Sequence, residues 1–168
     1  MGIKNLLFVI GVILYTNTIV NAQEKTFFEV AYNDCGDNKK QPNLILGENY
    51  IMPDSFGSDM VMRSCNFGGK VIYAFDKMDI HADYKMEISF FADDDRELEL
   101  IADGNPICEN IHVPGGKVVK KIIDLPRHSF AYGQFVLVVG VVKGANSVVS
   151  EIISSAFSPP AAKSSGVF

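Results

Sequence analysis

Residues 84–102 read YKMEISFFADDDRELELIA, two apolar runs joined by three consecutive aspartates. Both runs are rich in aromatic, β-branched and aliphatic residues. Both also show partial alternation of apolar and polar side chains, which is the period of a β-strand. Aspartates between two such runs are typical of a turn. The stretch therefore predicts two strands, Tyr84–Ala92 and Glu97–Ala102, connected by a polar turn.

The same pattern continues on both sides of this stretch. Further runs predict strands at Lys70–Phe75, Ile107–Val113, Lys117–Leu125, Phe135–Val142 and Val148–Ile153. Turn-forming Gly, Pro, Asn and Asp residues lie between them. Short strands at a spacing of roughly 8–12 residues indicate a β-sandwich or barrel, and no long window shows the 3.6-residue period of a helix. The sequence therefore predicts an all-β fold.

The N-terminal third is less regular. Thr26–Tyr32 predicts a strand, and residues 33–67 mix Asp, Asn, Gly and Pro with isolated apolar residues. We expect short irregular strands there, at Leu44–Leu46 and Met60–Arg63, because such a length is uncommon for a structureless loop. Binding sites usually lie in long loops of this kind, rich in polar side chains, at one end of a sandwich.

The two ends of the chain are predicted to lie outside the folded domain. Residues 1–22 combine a positive start at Lys4, a short apolar run and a small-residue ending, the order of a secretory signal peptide. The alternative is an uncleaved N-terminal anchor. Residues 23–155 form the β-sandwich domain. Residues 156–168 are rich in Pro, Ala and Ser and predict a flexible tail.

Charge and cysteine content limit the partners and the chemistry. A net charge of -5 argues against nucleic acid, since no basic excess is available to neutralise phosphates. Three cysteines, Cys35, Cys65 and Cys108, leave at least one thiol unpaired within the chain. Export permits a disulfide, and Cys35 with Cys65 is the expected pair. The alternative is that all three are buried small apolar residues.

Enzyme motifs are not found in the sequence. The histidines His81, His112 and His128 show no metal-ligand spacing, and no nucleophile, zinc-protease or phosphate-loop motif occurs. A carboxylate pair for glycoside hydrolysis depends on separation in space, and Asp93–Asp95 are the first candidates. A solvated loop tip, with Arg96 screening the charges, is the alternative for these aspartates.

Several loop residues have the chemistry of a sugar site. Such a site offers an aromatic face to the C–H surface of the sugar and fixed polar groups to its hydroxyls. The candidates are Tyr50, Phe56, Arg63, Asn66, Phe67, His128 and Tyr132. The alternative role of the aromatic residues among them is core packing.

An acidic loop and a carboxylate in the closing strand are candidates for metal binding. Residues 33–38 read NDCGDN and place oxygen-bearing side chains around a glycine, which suits a calcium ion or an ordinary polar turn. Strand alternation puts Glu151 on one face with Val149 and Ile153, and Ser150 on the other. Because a buried carboxylate needs a partner, Glu151 is expected to meet water, a cationic side chain or a metal.

Several segments resemble galactose-binding-like jelly-roll domains. The resemblance rests on five segments: GANSVVSEI at residues 144–152, IIDLP at 122–126, Tyr132-Gly133, residues 84–90 and Asp103-Gly104. The match extends over roughly Lys70 to Ile153. It looks like the accessory modules of secreted bacterial glycoside hydrolases and polysaccharide lyases, and it implies an antiparallel jelly-roll β-sandwich.

The resemblance also implies a structural Ca²⁺ site. In that fold a calcium ion often joins an N-terminal acidic loop to the closing strand. Carried over by position, the ligands would be Asp34, Asp37, the Ser150 carbonyl and Glu151. The loop departs from the usual pattern because Cys35 lies inside it.

Together these features predict a non-catalytic carbohydrate-binding module of an exported protein, periplasmic, cell-surface or extracellular. Its expected partner is a polysaccharide or other glycan, with a catalytic domain linked to it or separate from it. No nucleic acid and no membrane span after signal cleavage are expected. The alternatives are a fragment of a secreted glycoside hydrolase or polysaccharide lyase, and a structural or adhesive surface domain.

Overall fold

The computed structural model describes residues 25–35, 40–51 and 62–157. They form twelve strands and a 3-10 helix, Arg127–Phe130, and no helix in these ranges is long and apolar enough to cross a membrane. The strands are β1 Phe28–Asp34, β2 Leu44–Leu46, β3 Glu48–Ile51, β4 Met62–Asn66, β5 Lys70–Phe75, β6 Asp83–Phe91, β7 Arg96–Ala102, β8 Asn105–Val113, β9 Val118–Asp124, β10 Phe135–Lys143, β11 Ser147–Val149 and β12 Glu151–Phe157. The predicted signal peptide and residues 158–168 of the predicted tail lie outside the described residues.

The strands form two main sheets and a small third one. The four-stranded sheet has the order β1-β12-β6-β9, and the five-stranded sheet has the order β2-β5-β10-β7-β8. A three-stranded sheet, β11-β4-β3, lies at one end. The pairings between these strands are antiparallel. Buried residues of both main sheets share one core, so the predicted all-β sandwich is confirmed.

Alternation along the strands builds this core. On β7, Leu98, Leu100 and Ala102 are fully buried, while the residues between them are half-exposed. The Phe75 and Phe135 rings stack from neighbouring strands with centroids 4.8 Å apart. A side chain every second residue therefore points inward, as the sequence pattern predicts.

The closing segment differs from the prediction. Instead of a single strand Val148–Ile153, the chain forms β11 and β12, separated by Ser150. The Ser150 N–H donates to the Ser89 carbonyl, and its own carbonyl accepts from the Cys35 N–H. The chain thus changes sheets at Ser150, which alternation alone does not reveal. β12 also continues to Phe157, two residues into the segment predicted as tail.

The predicted Cys35–Cys65 disulfide is wrong, because all three cysteines are free thiols. The Cys35 Sγ lies 3.6 Å from the Asn33 carbonyl, which accepts its hydrogen bond. Cys65 lies on β4 in the small sheet, where its thiol contacts the Asn146 side chain. Both are buried, so the alternative of small apolar residues describes these two.

Candidate functional site

A pocket of about 200 Å³ lies at the end of the sandwich that carries the small sheet. β3 and β4 place Tyr50 opposite Arg63, and the turn after β4 adds Phe67. The turn after β6 and the turn before β11 close the other sides. We call it the Arg63 pocket; its lining residues are Tyr50, Arg63, Cys65, Phe67, Asp93, Asp94, Arg96, Ala145 and Asn146.

Arg63 lines the pocket with a side chain that is almost fully buried. Its relative exposure is 3%. One terminal nitrogen, Nη1, donates to the Phe91 carbonyl at 3.4 Å and to the Asp93 carboxylate at 3.3 Å. The guanidinium carbon lies 5.2 Å from the centroid of the Tyr50 ring, within the range of a cation–π contact. Its Nε is buried and has no hydrogen-bond partner among the described residues.

Arg96 holds the neighbouring loops together. It is also 3% exposed, and its Nη2 donates to the same Asp93 oxygen at 3.2 Å. Its Nε and Nη2 both donate to the Asn146 side-chain oxygen, and Nη1 pairs with Asp94. Gly144 is required beside it, because a Cβ there would overlap the Arg96 side chain and φ is +118°. The turns before β7 and before β11 are therefore linked through one guanidinium.

Burial governs the electrostatics of the pocket. Desolvation lowers the pKa of Arg96 from its ordinary value, Arg63 adds to the lowering, and Asp93 opposes it. An arginine stays protonated in spite of such a shift. Desolvation also raises the pKa of the Cys65 thiol, although the charge of Arg63 opposes this. Two buried cations thus face the carboxylates of Asp93 and Asp94, and the thiol remains neutral.

The predicted sugar-binding residues are divided between two ends of the molecule. Tyr50, Arg63 and Phe67 meet in the Arg63 pocket. Asn66, next to Phe67, shapes its turn by accepting the Gly68 N–H at 2.6 Å. Phe56 lies outside the described residues.

His128 and Tyr132 do not join this group. They lie just before β10 begins, whereas Ala145 of the pocket follows the end of β10. β10 has nine residues, or about 30 Å at the rise of a strand. Tyr132 is 93% exposed at that opposite end. The structure therefore separates these two residues from the pocket.

Sequence reasoning missed Arg96 and Asn146 as members of the site. The sequence assigns Arg96 only to screening the neighbouring aspartates, and it does pair with Asp93 and Asp94. Asn146 enters the predictions only as part of the segment GANSVVSEI. A buried arginine within an otherwise polar loop region is not visible in sequence, because burial depends on the packing of distant strands.

The predicted metal ligands are only partly described. Asp34 on β1 and Glu151 on β12 are directly opposite each other in register. Glu151 accepts hydrogen bonds from the Tyr32 and Ser89 hydroxyls, at 3.4 and 3.3 Å, and Lys40 lies 3.4 Å from Asp34.

Two carboxylates fall short of the six to eight oxygens that calcium takes. The Ser150 carbonyl already accepts one hydrogen bond, and Asp37 lies outside the described residues. Within the described ranges no three His, Cys, Asp or Glu side chains are grouped to hold a metal. The calcium site therefore stays a prediction.

A larger cavity, about 640 Å³, runs between β1 and the loop after β5. Its walls include Phe28, Val30, Tyr32 and Met78. Its volume suits a bigger ligand, but it has no buried, unpartnered polar side chain comparable to Arg63 among the described residues. We therefore regard the smaller Arg63 pocket as the candidate site.

No family model and no curated protein sequence matches the chain. Its structure is similar to the ANX1 and ANX2 ectodomains from Arabidopsis thaliana, each with a TM-score of 0.59 and 9% identity over 79% of this chain. The chain spans about half of their length, 49% and 50%. A CBM35 from Cellvibrio japonicus Abf62 matches with a TM-score of 0.45 and 10% identity, over 70% of this chain and 88% of its own. With its antiparallel two-sheet topology and its likeness to the ectodomains, the chain has an all-β jelly-roll sandwich fold.

Proposed function

We propose that the protein is an exported, non-catalytic carbohydrate-binding domain whose ligand occupies the Arg63 pocket. The observation that carries the proposal is the Arg63 Nε, a buried cationic donor that has no partner in the part of the chain that the structure describes. Leaving a buried donor unsatisfied costs about 1–3 kcal/mol. An acceptor on a bound ligand would recover that cost.

The walls of the pocket suit the two sides of a sugar ring. Tyr50 is 45% exposed and Phe67 is 74% exposed, so part of each ring is accessible at the pocket. Aromatic faces pack against the apolar C–H surface of a sugar. The volume, below the roughly 300–1,000 Å³ of pockets for drug-sized ligands, favours a single ring at a time.

The polar groups favour hydroxyls as the functional group of the ligand. Arg63 offers donors, and the carboxylates of Asp93 and Asp94 offer acceptors at 40% and 68% side-chain exposure. A hydroxyl both donates and accepts, so a polyol can use both kinds of group at once. A few hydrogen bonds net of water and one stacked ring give several kcal/mol, which corresponds to micromolar to millimolar affinity.

The test is a screen of the purified protein against a broad panel of neutral and acidic polysaccharides by affinity gel electrophoresis. We expect retardation on at least one glycan and no release of reducing sugar or unsaturated product from it. Product release would replace the proposal by the alternative of a glycoside hydrolase or polysaccharide lyase fragment. A panel without retardation would favour a structural or adhesive domain.

Export is the second part of the proposal. It rests on the signal-peptide order of residues 1–22. N-terminal sequencing of the protein recovered outside the cytoplasm should begin at Gln23. Recovery of the uncut chain in the membrane fraction would instead support the anchored alternative.

A further inference from the structure

The outer faces of the two main sheets differ in character. On the four-stranded sheet, charged residues line the outer face: Lys85 and Glu87 on β6, Lys120 and Asp124 on β9, and Glu151 on β12. This is the usual composition of a sheet face in water. Three exposed apolar side chains lie among them, Tyr32 on β1 and Val118 and Ile122 on β9, at 39%, 41% and 69% exposure. Glu87 separates Tyr32 from Ile122 in their register row, and Lys120 separates Ile122 from Val118 along β9, so these residues form no continuous apolar row.

The outer face of the five-stranded sheet carries a continuous apolar row instead. The strand register aligns Leu46, Ile72, Val138, Ile101 and Pro106 in one row that crosses all five strands. Val136, 40% exposed, adds to this row from the central strand β10. We call these six residues the apolar face. A contiguous apolar surface on a sheet that would otherwise face water marks an interaction site.

A charged row beside the apolar face indicates what covers it. Lys70 on β5 and Glu99 on β7 lie on either side of Gly140 on β10, in one register row. The Glu99 side chain leans over Gly140, where a Cβ would lie 2.9 Å from its carboxylate oxygen. The face therefore carries a positive group on the β5 side and a carboxylate that reaches from β7 over the central strand.

We propose that the apolar face packs against the same face of a second copy of this chain, with a two-fold axis close to the direction of β10. Rotation about that axis exchanges the β5 and β7 sides of the sheet. Lys70 of each copy then lies over Glu99 of the other, and Ile72 lies over Ile101. Val138 meets its own counterpart near the axis. Such a self-complementary patch is what a two-fold interface requires.

The geometry agrees with known sheet packing. Two sheets stack about 10 Å apart with interleaved side chains and strand directions within about 30° of each other. At Gly140 the facing surface is formed by the overlying Glu99 side chain, because the glycine has none of its own. The two Lys70–Glu99 pairs favour a two-fold axis along β10, which places β5 of one copy over β7 of the other. A two-fold axis across the strands at this row would instead place Lys70 over Lys70 and Glu99 over Glu99, and like charges would repel.

Sedimentation equilibrium of the purified protein over a range of concentrations tests this proposal. We expect a reversible monomer–dimer equilibrium that Val138→Glu weakens at least tenfold, since it places two carboxylates at the axis. Val136→Glu should weaken the dimer as well. Because Val136 is a more exposed position, this substitution is less able to disturb folding than Val138→Glu. Ile122→Glu is the matched control on the other sheet and should leave the dissociation constant unchanged.

Charge reversal tests the axis itself. Lys70→Glu and Glu99→Lys alone should each weaken the dimer by several-fold. Both substitutions in one chain restore two opposite-charge pairs and should return the dissociation constant to within about twofold of the original. A protein that stays monomeric at hundreds of micromolar, or a double variant no better than the single ones, would overturn the proposal. None of these residues lines the Arg63 pocket, so the result is independent of glycan binding.

Discussion

At the residue scale, Arg63 and Arg96 are equally buried but do different work. Asp93, which pairs with Arg63, also pairs with Arg96, and its side chain is 40% exposed. Removing Arg63 therefore leaves no buried carboxylate without a cationic partner. Replacing a buried ion by an apolar residue of similar size is often neutral or stabilising. We therefore expect Arg63→Met to change the free energy of unfolding by less than about 1 kcal/mol while weakening glycan binding.

Arg96→Met is the matched comparison. It removes both donors from the Asn146 side-chain oxygen, in a residue that is 2% exposed. An orphaned buried acceptor costs about 1–3 kcal/mol. Urea unfolding curves of both variants measure the difference. A larger loss of stability for Arg63→Met than for Arg96→Met would contradict the roles assigned to the two arginines.

At the element scale, the residue after β1, Cys35, and Tyr73 on β5 are buried acidic groups that stay protonated in the folded chain. Burial raises the pKa of Cys35 to about 12, and burial is also the main cause that raises the pKa of Tyr73 on β5 far above its ordinary value. Above about pH 9 the unfolded chain releases these protons and the folded chain keeps them. The free energy of unfolding therefore falls as pH rises, by up to about 1.4 kcal/mol per pH unit for each group.

This pH dependence has a direct check. Unfolding free energies of the wild type and of Cys35→Ala, measured between pH 8 and 11, should both fall. The fall should be shallower for Cys35→Ala, because one raised pKa is gone. Parallel curves for the two proteins would show that Cys35 ionises alike in the folded and unfolded chains.

The pairing of β1 with β12 places Asp34 opposite Glu151, and like charges at such positions destabilise a sheet. A calcium ion held there together with residues of the 33–38 loop would relieve the repulsion. We then expect chelation to lower the melting temperature, and calcium to have no effect on Glu151→Gln. An unchanged melting temperature on chelation would leave Lys40 and the hydroxyls of Tyr32 and Ser89 as the groups that stabilise the pair.

At the scale of the whole molecule, local patterns were enough for the fold class. Strands such as β5 and β7 alternate clearly because one face is buried along their whole length. The segment around Ser150 does not alternate, since Val148, Val149 and Ser150 are all buried where the chain changes sheets. Buried and exposed side chains do not alternate at such a crossing, because residues of both sheets surround the backbone. β3 was missed for a related reason: its four residues are too short for a period to show.

The candidate site was predictable in its residue types but not in its assembly. Tyr50, Arg63 and Phe67 were selected for their chemistry, and the antiparallel pairing of β3 with β4 brings the first two together. His128 and Tyr132 have the same chemistry but lie a full strand length away. Arg96 and Asn146 are fifty residues apart in sequence, and only the packing of two turns joins them. Contacts of that kind depend on topology, which residue types do not encode locally.

The central claim is that the Arg63 pocket binds a glycan through its exposed aromatic rings. Isothermal titration calorimetry with the glycan retained most strongly in the screen tests it, using Tyr50→Ala, Phe67→Ala and, as the matched control, Tyr132→Ala. We predict that the first two each weaken binding about tenfold, or about 1.4 kcal/mol, and that Tyr132→Ala binds like the wild type. Loss of binding in Tyr132→Ala with wild-type affinity in the two pocket variants would contradict the account.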